Sequence, residues 1–166
     1  MPDPKKQIVV VCTGNTCRSP MGERLLAHGL AAQETPLNEI EVISAGVAAY
    51  PGDEASPNSV RALAKVGLNL NDHRSRRFST QMLDQSLAIF VMTEGHREII
   101  LDLVEDQKDP PPILLFRELM GNDAQIQIPD PFGGPLEAYS NTRDALAEAI
   151  PSIIQYLKEQ LSQSTD

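Results

Sequence analysis

The sequence predicts an α/β fold, a parallel sheet with helices on both of its faces, and three observations carry that prediction. Short apolar runs rich in Val and Ile alternate along the chain with longer stretches of helical periodicity. The runs end at turn or loop signals, which is how a strand hands over to a crossover helix. The length, 166 residues, suits one shared core, since a chain of this size buries about 70% of the surface it exposes when unfolded. No repeat, low-complexity tract or linker divides it, so 1–166 is expected to be a single domain with short tails at 1–6 and 162–166.

The elements follow in order. Gln7 to Cys12 is apolar without alternation and reads as a strand buried on both faces. A helix comes next: Pro20 suits a first helical position and pushes Ser19 toward the extended geometry of an N-cap, while Met21, Leu25, Gly29 and Leu30 share a face. Ile40 to Ser44 alternates as a second strand, with Ala45-Gly46 as the turn that ends it. Pro57 to Val66 is a helix opened by Ser56 and closed by Gly67. Leu87 to Met92 is a third buried strand, and Thr93 caps a helix from Glu94 to Val104. Pro110 to Pro112 breaks the chain before a short fourth strand, Ile113 to Phe116. After the turn-rich Asp130-Pro131-Phe132-Gly133-Gly134, a last helix runs from Leu136 to Leu161, and Pro151 should kink or split it. Right-handed crossovers make one parallel sheet of these strands, expected in the order 2-1-3-4. In such a sheet a ligand binds beyond the carboxyl ends of the strands. Cys12 stands at such an end.

Composition narrows the function. With 41% hydrophobic, 22% charged and 4% aromatic residues, the chain is neither disordered nor membrane-like. The longest apolar run, Ile8 to Cys12, is far too short to span a bilayer, and the opening MPDPKKQ lacks the apolar stretch of a signal peptide, so a cytoplasmic location is expected. A net charge of -9 argues against nucleic acid, whose binding depends on neutralising phosphates. Arg74, Arg76 and Arg77 read as a solvated loop. The two cysteines lie five positions apart, close only a trivial loop, and so read as working thiols rather than a disulfide framework.

Both thiols sit in CTGNTCRSP, Cys12 to Pro20, between the first strand and the first helix. A helix N-terminus presents unpaired N–H groups and partial positive charge, which suits a phosphate. Gly14 lets the backbone turn inward, and Arg18 can grip two phosphate oxygens through its planar fork. The second glycine and the Lys-Ser/Thr pair of a nucleotide P-loop are missing. A thiol at Cys12 among inward N–H groups is expected to be a thiolate at neutral pH, and a thiolate under a bound phosphate is a nucleophile. The cradle would stabilise the equatorial oxygens, so no metal or organic cofactor is called for. The leaving group needs a proton, and Asp130, in an exposed turn before a helix, is the candidate acid.

Taken together, Cys12, Arg18, Ser19 and Pro20 with the distal Asp130-Pro131 resemble the low-molecular-weight protein phosphatases. The likeness extends along the chain through Ser44-Ala45-Gly46, Asp72-His73-Arg74, Val91-Met92-Thr93 and Asp130 to Gly134. It implies a Rossmann-like fold, phosphorylated proteins as substrates, Cys12 as nucleophile, Arg18 as phosphate clamp, and Asp130 as acid and then base. Ser19 would donate its hydroxyl to the thiolate, and Asn15, with Ser44 and His73, would hold the loop in an unusual backbone form. Thr13, Gly14, Asn15, Thr16, Cys17, Ser19, Tyr50 and Phe132 are the expected substrate-binding residues.

The family includes tyrosine phosphatases and a bacterial branch acting on phosphoarginine. The resemblance places the distinction at Thr16, where tyrosine enzymes commonly carry a bulky apolar side chain and the arginine branch a threonine. A hydroxyl there could bond a guanidinium or orient water. Phe132 followed by glycine, in place of paired aromatics, and the stretch Ser44 to Gly52 lean the same way. The expectation is therefore a protein arginine phosphatase, with a tyrosine phosphatase as the alternative and a non-catalytic phosphoprotein receptor behind both.

Plainer readings stand beside these. Cys12 alone reads equally as a buried strand-end thiol. Cys12 and Cys17 could be half of a zinc site, but no second pair completes it. An arsenate reductase cycling through several cysteines lacks a thiol beyond Cys17. His73 alone is an ordinary loop histidine, and His28 and His96 read as surface residues of helices. The closeness of Cys17 to Cys12 would permit a protective disulfide on oxidation.

Overall fold

A computed structural model describes residues 6–121 and 125–163. The elements are β1 (Gln7–Cys12), α1 (Arg18–Ala31), β2 (Glu41–Gly46), α2 (Pro57–Ala64), β3 (Ser86–Val91), α3 (Glu94–Leu103), β4 (Ile113–Leu115) and α4 (Leu136–Gln163), with short 3-10 segments at Leu37–Glu39, Thr80–Gln85 and Glu118–Met120. The sheet is parallel throughout, in the order β2-β1-β3-β4, as the sequence predicts. Residues 1–5 and 164–166 of the two expected tails lie outside the described residues.

Alternation along the central strands divides the core into two layers. Ile8, Val10 and Cys12 of β1, with Ala88 and Phe90 of β3, pack against α1, α2 and α4, while Val9, Val11, Ile89 and Val91 point the other way toward Ile100 of α3. Both faces are covered, which explains the unbroken Val-rich run of β1. Cys12 is the last residue of that strand and sits on the α1 side.

Several boundaries differ by a residue or two, and four departures from expectation have a physical reason. The first helix begins at Arg18 with Cys17 as its N-cap, so Ser19 is not a cap but the second helical residue, and Pro20 the third. Proline is tolerated anywhere in that first turn because none of its N–H groups has an intrahelical acceptor. Ala45 and Gly46 are not a turn: they continue β2, where Gly46 pairs with Cys12. The 3-10 turn Thr80–Gln85 leads straight into β3, which starts at Ser86, one residue early. Finally, α4 is not split at Pro151 but runs unbroken to Gln163. Pro151 and Ala147, whose carbonyl loses its i+4 donor, both face solvent, where water can serve that oxygen.

Candidate active site

The loop from Thr13 to Cys17 is held by its carbonyls. Those of Cys12, Thr13 and Thr16 accept from the N–H groups of Val47, Ala48 and Ser56, each at 2.9 Å. The Asn15 carbonyl pairs with His73 Nε2 at 2.7 Å. In a trans peptide the N–H points opposite to the preceding carbonyl. Tying these four carbonyls to the scaffold therefore turns the N–H groups of Thr13, Gly14, Thr16 and Cys17 the other way, into the concavity in front of α1. That is an anion cradle.

Asn15 makes the turn possible. Its φ is +58°, a left-handed conformation that asparagine adopts more readily than most residues. Its buried amide donates to Ser19 Oγ at 2.8 Å and to Ser44 Oγ at 3.0 Å, while its Oδ1 accepts from the Arg76 N–H at 2.9 Å. Ser44 passes its own proton to Glu23 Oε1 at 2.9 Å. Because the Asn15 amide can only donate, the Ser19 hydroxyl keeps its hydrogen for Cys12 Sγ at 3.0 Å, nearer than the Ala45 carbonyl at 3.4 Å. The network thus aims a donor at the sulfur. Burial lowers the pKa of His73, with the Asn15 carbonyl partly offsetting the effect, so the ring is neutral near pH 7.

Arg18 is 4% exposed at the start of α1. Its Nη1 donates to the Ile128 carbonyl at 2.9 Å and its Nη2 to Thr13 Oγ1 at 3.3 Å, while Asp130 Oδ2 lies 3.7 Å from Nη2. Its Nε is buried with no partner among the described residues, which leaves that edge of the guanidinium to a ligand. Asp130, half exposed, accepts from the Phe132 N–H at 3.1 Å through Oδ1. A cleft of about 230 Å³ is lined by Cys12, Thr13, Gly14, Thr16, Cys17, Arg18, Asp130 and Phe132. Thiol, cradle, guanidinium and carboxyl group share one small space. Among the described residues, no three His, Cys, Asp or Glu side chains are grouped to hold a metal ion.

The model of the family described as low molecular weight phosphotyrosine protein phosphatase matches residues 7–163. The chain belongs to that family. Like its relatives it is a cysteine-dependent protein phosphatase, acting on phosphorylated proteins through a phosphocysteine intermediate. It is 37% identical to a protein-arginine-phosphatase of Geobacillus stearothermophilus over 152 residues, 92% of this chain and 96% of the other. A YwlE arginine phosphatase, solved as a cysteine-to-serine variant with a phosphorylated active-site serine, is similar with a TM-score of 0.77 at 33% identity, covering 92% of this chain and 95% of that one. The tyrosine phosphatase Wzb from Escherichia coli K30, solved with sulphate, is similar with a TM-score of 0.79 at 32% identity over 92% and 98%.

Three of this phosphatase's expected substrate-binding residues lie elsewhere. Asn15 and Ser19 are fully buried behind the cradle, where they tie the loop and the sulfur together. Tyr50 is exposed and does not line the cleft. Cys17 lines it with its sulfur turned toward Ser56 Oγ at 2.9 Å and the Tyr139 hydroxyl at 3.5 Å. Burial, then the neighbouring Cys17, pushes the Tyr139 pKa up to about 12.

Two residues of the phosphatase's site escaped the sequence reading. His96 is not a surface residue: it is 5% exposed, with Nε2 at 2.8 Å from Thr13 Oγ1. Burial, then repulsion from Arg18, drives its pKa down to about 4 against a smaller opposing pull from Asp130. Gly46 packs against the loop so closely that a Cβ would stand 2.9 Å from the Asn15 amide nitrogen. The Ser44-Ala45-Gly46 signature held that signal, but not its reason.

Proposed function

We propose that this phosphatase hydrolyses phosphoarginine in proteins. The observation that carries the reading is Thr16: a hydroxyl-bearing side chain lines the cleft with Cys12 and Asp130, where a branched apolar residue could neither bond a guanidinium nor orient water. The arginine phosphatases among its relatives support it.

The site suggests this sequence of steps. The cradle N–H groups and the free edge of Arg18 hold the phosphoryl oxygens, with the Cys12 sulfur in line behind phosphorus. The sulfur attacks, the P–N bond breaks, and the Asp130 carboxyl group gives its proton to the departing nitrogen. The resulting carboxylate takes a proton from water, whose oxygen attacks the phosphocysteine and releases inorganic phosphate with the thiolate restored. The Ser19 hydroxyl stabilises the negative sulfur at both ends of the cycle.

A second reading, hydrolysis of phosphotyrosine, is favoured by Phe132, 77% exposed at the cleft, where it could stack on a phenyl ring. The relative kcat/KM on matched phosphoarginine and phosphotyrosine peptides, with Cys12→Ser as the inactive control, decides between them. Preference for phosphoarginine that moves toward phosphotyrosine in Thr16→Val is expected; preference for phosphotyrosine in the native enzyme overturns the assignment.

Two further properties belong to this reading. Cys12 and Cys17, both free, are suited to reversible oxidation: peroxide oxidises the Cys12 sulfur to a sulfenic acid and is itself reduced to water, and the Cys17 thiol then attacks that sulfur with loss of a second water to form a disulfide. Paired free thiols in a working site suit a reducing compartment, the cytoplasm. No helix among the described residues is long and apolar enough to cross a membrane.

A further inference from the structure

The contacts of Arg18 do not stop at the loop. Thr13 Oγ1, which receives Arg18 Nη2 at 3.3 Å, lies 2.8 Å from His96 Nε2. His96 is the third residue of α3 and is not part of the cleft wall. Thr93 caps α3 by accepting from the His96 N–H at 3.2 Å, which fixes the backbone from which the ring projects. The other ring nitrogen, Nδ1, is buried with no partner. Leaving a buried polar atom unpaired is unfavourable, and an apolar side chain would fill the space without that penalty. Among the described residues, the one polar contact the ring makes is with the hydroxyl that receives Arg18.

We propose that His96 is a positioning residue for the phosphoryl clamp: through Thr13 it fixes the hydroxyl that receives Arg18 Nη2, and with it the plane of the guanidinium. The inference rests on reading Arg18 as the clamp. A guanidinium can only donate, so one lone pair of Thr13 Oγ1 is taken by Arg18. His96 Nε2 takes either the hydroxyl proton or the second lone pair, and in both cases the hydroxyl loses its rotational freedom. Without the ring, Thr13 is free to turn. Arg18, pivoting on the Ile128 carbonyl, then has Asp130 Oδ2, now 3.7 Å away, as a competing acceptor. A swing toward Asp130 takes the clamp off the phosphoryl group. The ring must also be uncharged to sit beside Arg18, and its burial and that repulsion keep it so near pH 7.

The test uses inorganic phosphate as a competitive inhibitor of aryl phosphate hydrolysis, so it does not depend on the choice between arginine and tyrosine. His96→Leu is expected to weaken phosphate inhibition about tenfold, and His96→Gln, whose amide reaches the Nε2 position, to return it to within about threefold of wild type. Thr13→Val should reproduce the His96→Leu defect, and the double variant should be no worse than either single one, because both cut the same chain. Phosphate inhibition as strong as wild type in His96→Leu, failure of glutamine to rescue, or additive losses in the double variant overturns the proposal. If His96→Leu does not fold, Thr13→Val decides alone, and wild-type phosphate binding there is the overturning result. Arg18→Lys separates the premises: if it binds phosphate as wild type does, the clamp reading itself fails, whereas loss in Arg18→Lys with no loss in His96→Leu overturns the positioning role only.

Discussion

Gly46 and Thr13 meet backbone to backbone: a Cβ on Gly46 would stand 2.5 Å from the Thr13 carbonyl oxygen. Only glycine allows β2 and the phosphate loop to lie this close. Gly46→Ala must push the loop out of register with the sulfur while leaving the core intact. Its kcat/KM should fall by more than about tenfold, the scale expected for sub-ångström misplacement of a cradle, with little change in far-ultraviolet dichroism. Full activity in Gly46→Ala would show that the contact is loose.

Asn15→Ala removes three hydrogen bonds, two of them buried, and leaves Ser19 and Ser44 short of a donor, at a residue whose φ of +58° alanine disfavours. A loss of about 2–4 kcal/mol in urea unfolding is expected. Asn15→Gly, which relieves the backbone but not the lost bonds, should lie between.

Asp130→Asn keeps the shape of the turn and removes the proposed proton donor. Its kcat should fall by about 100-fold or more, with a smaller change in KM, as for a positioned general acid and base. Rapid-quench measurement should find the first turnover slowed on substrates with poor leaving groups and nearly normal on activated aryl phosphates.

Acid should destabilise the fold through its histidines. The folded-state pKa of His96 is about 4, below its ordinary 6.5. Between those values the unfolded chain binds a proton that the folded one refuses, so stability is fully present above about pH 6.5 and falls as the pH drops toward 4. His73 is shifted in the same direction by burial. From pH 7 to pH 5 the His96 contribution alone is about 2 kcal/mol. Urea midpoints at the two pH values should therefore differ by less in His96→Gln than in wild type.

Peroxide followed by a thiol reductant should restore activity in wild type and fail to do so in Cys17→Ala, in which Cys12 has no partner and oxidises further. Equal recovery in both proteins would remove Cys17 from the protection of the nucleophile.

What the sequence made legible is what is written locally. The Val-rich strands, their parallel order and the loop from Cys12 to Pro20 follow from adjacent residues, whereas the Pro-Phe-Gly-Gly turn alone marks Asp130 only as a turn residue, and the family resemblance is what singled it out. His96 was invisible because its partner, Thr13, is 83 residues away and because a histidine in a helix's first turn reads as solvated. Tyr50 misled for the opposite reason: an aromatic near Ser44-Ala45-Gly46 looks like a cleft wall, yet the loop beyond β2 carries it outward. Of the kink or split expected at Pro151, the split did not appear, because a proline on a solvent face gives up one hydrogen bond that water can replace.

The carbonyl ties of the phosphate loop also bear on the order in which the protein is made. The thiol and Arg18 are synthesised before the groups that turn the cradle inward, Val47, Ala48, Ser56 and His73. Until they have emerged from the ribosome and docked, Cys12 is an ordinary cysteine on a nascent strand. The cradle around the sulfur is thus completed only after His73 has been made, which spares the growing polypeptide an exposed nucleophile.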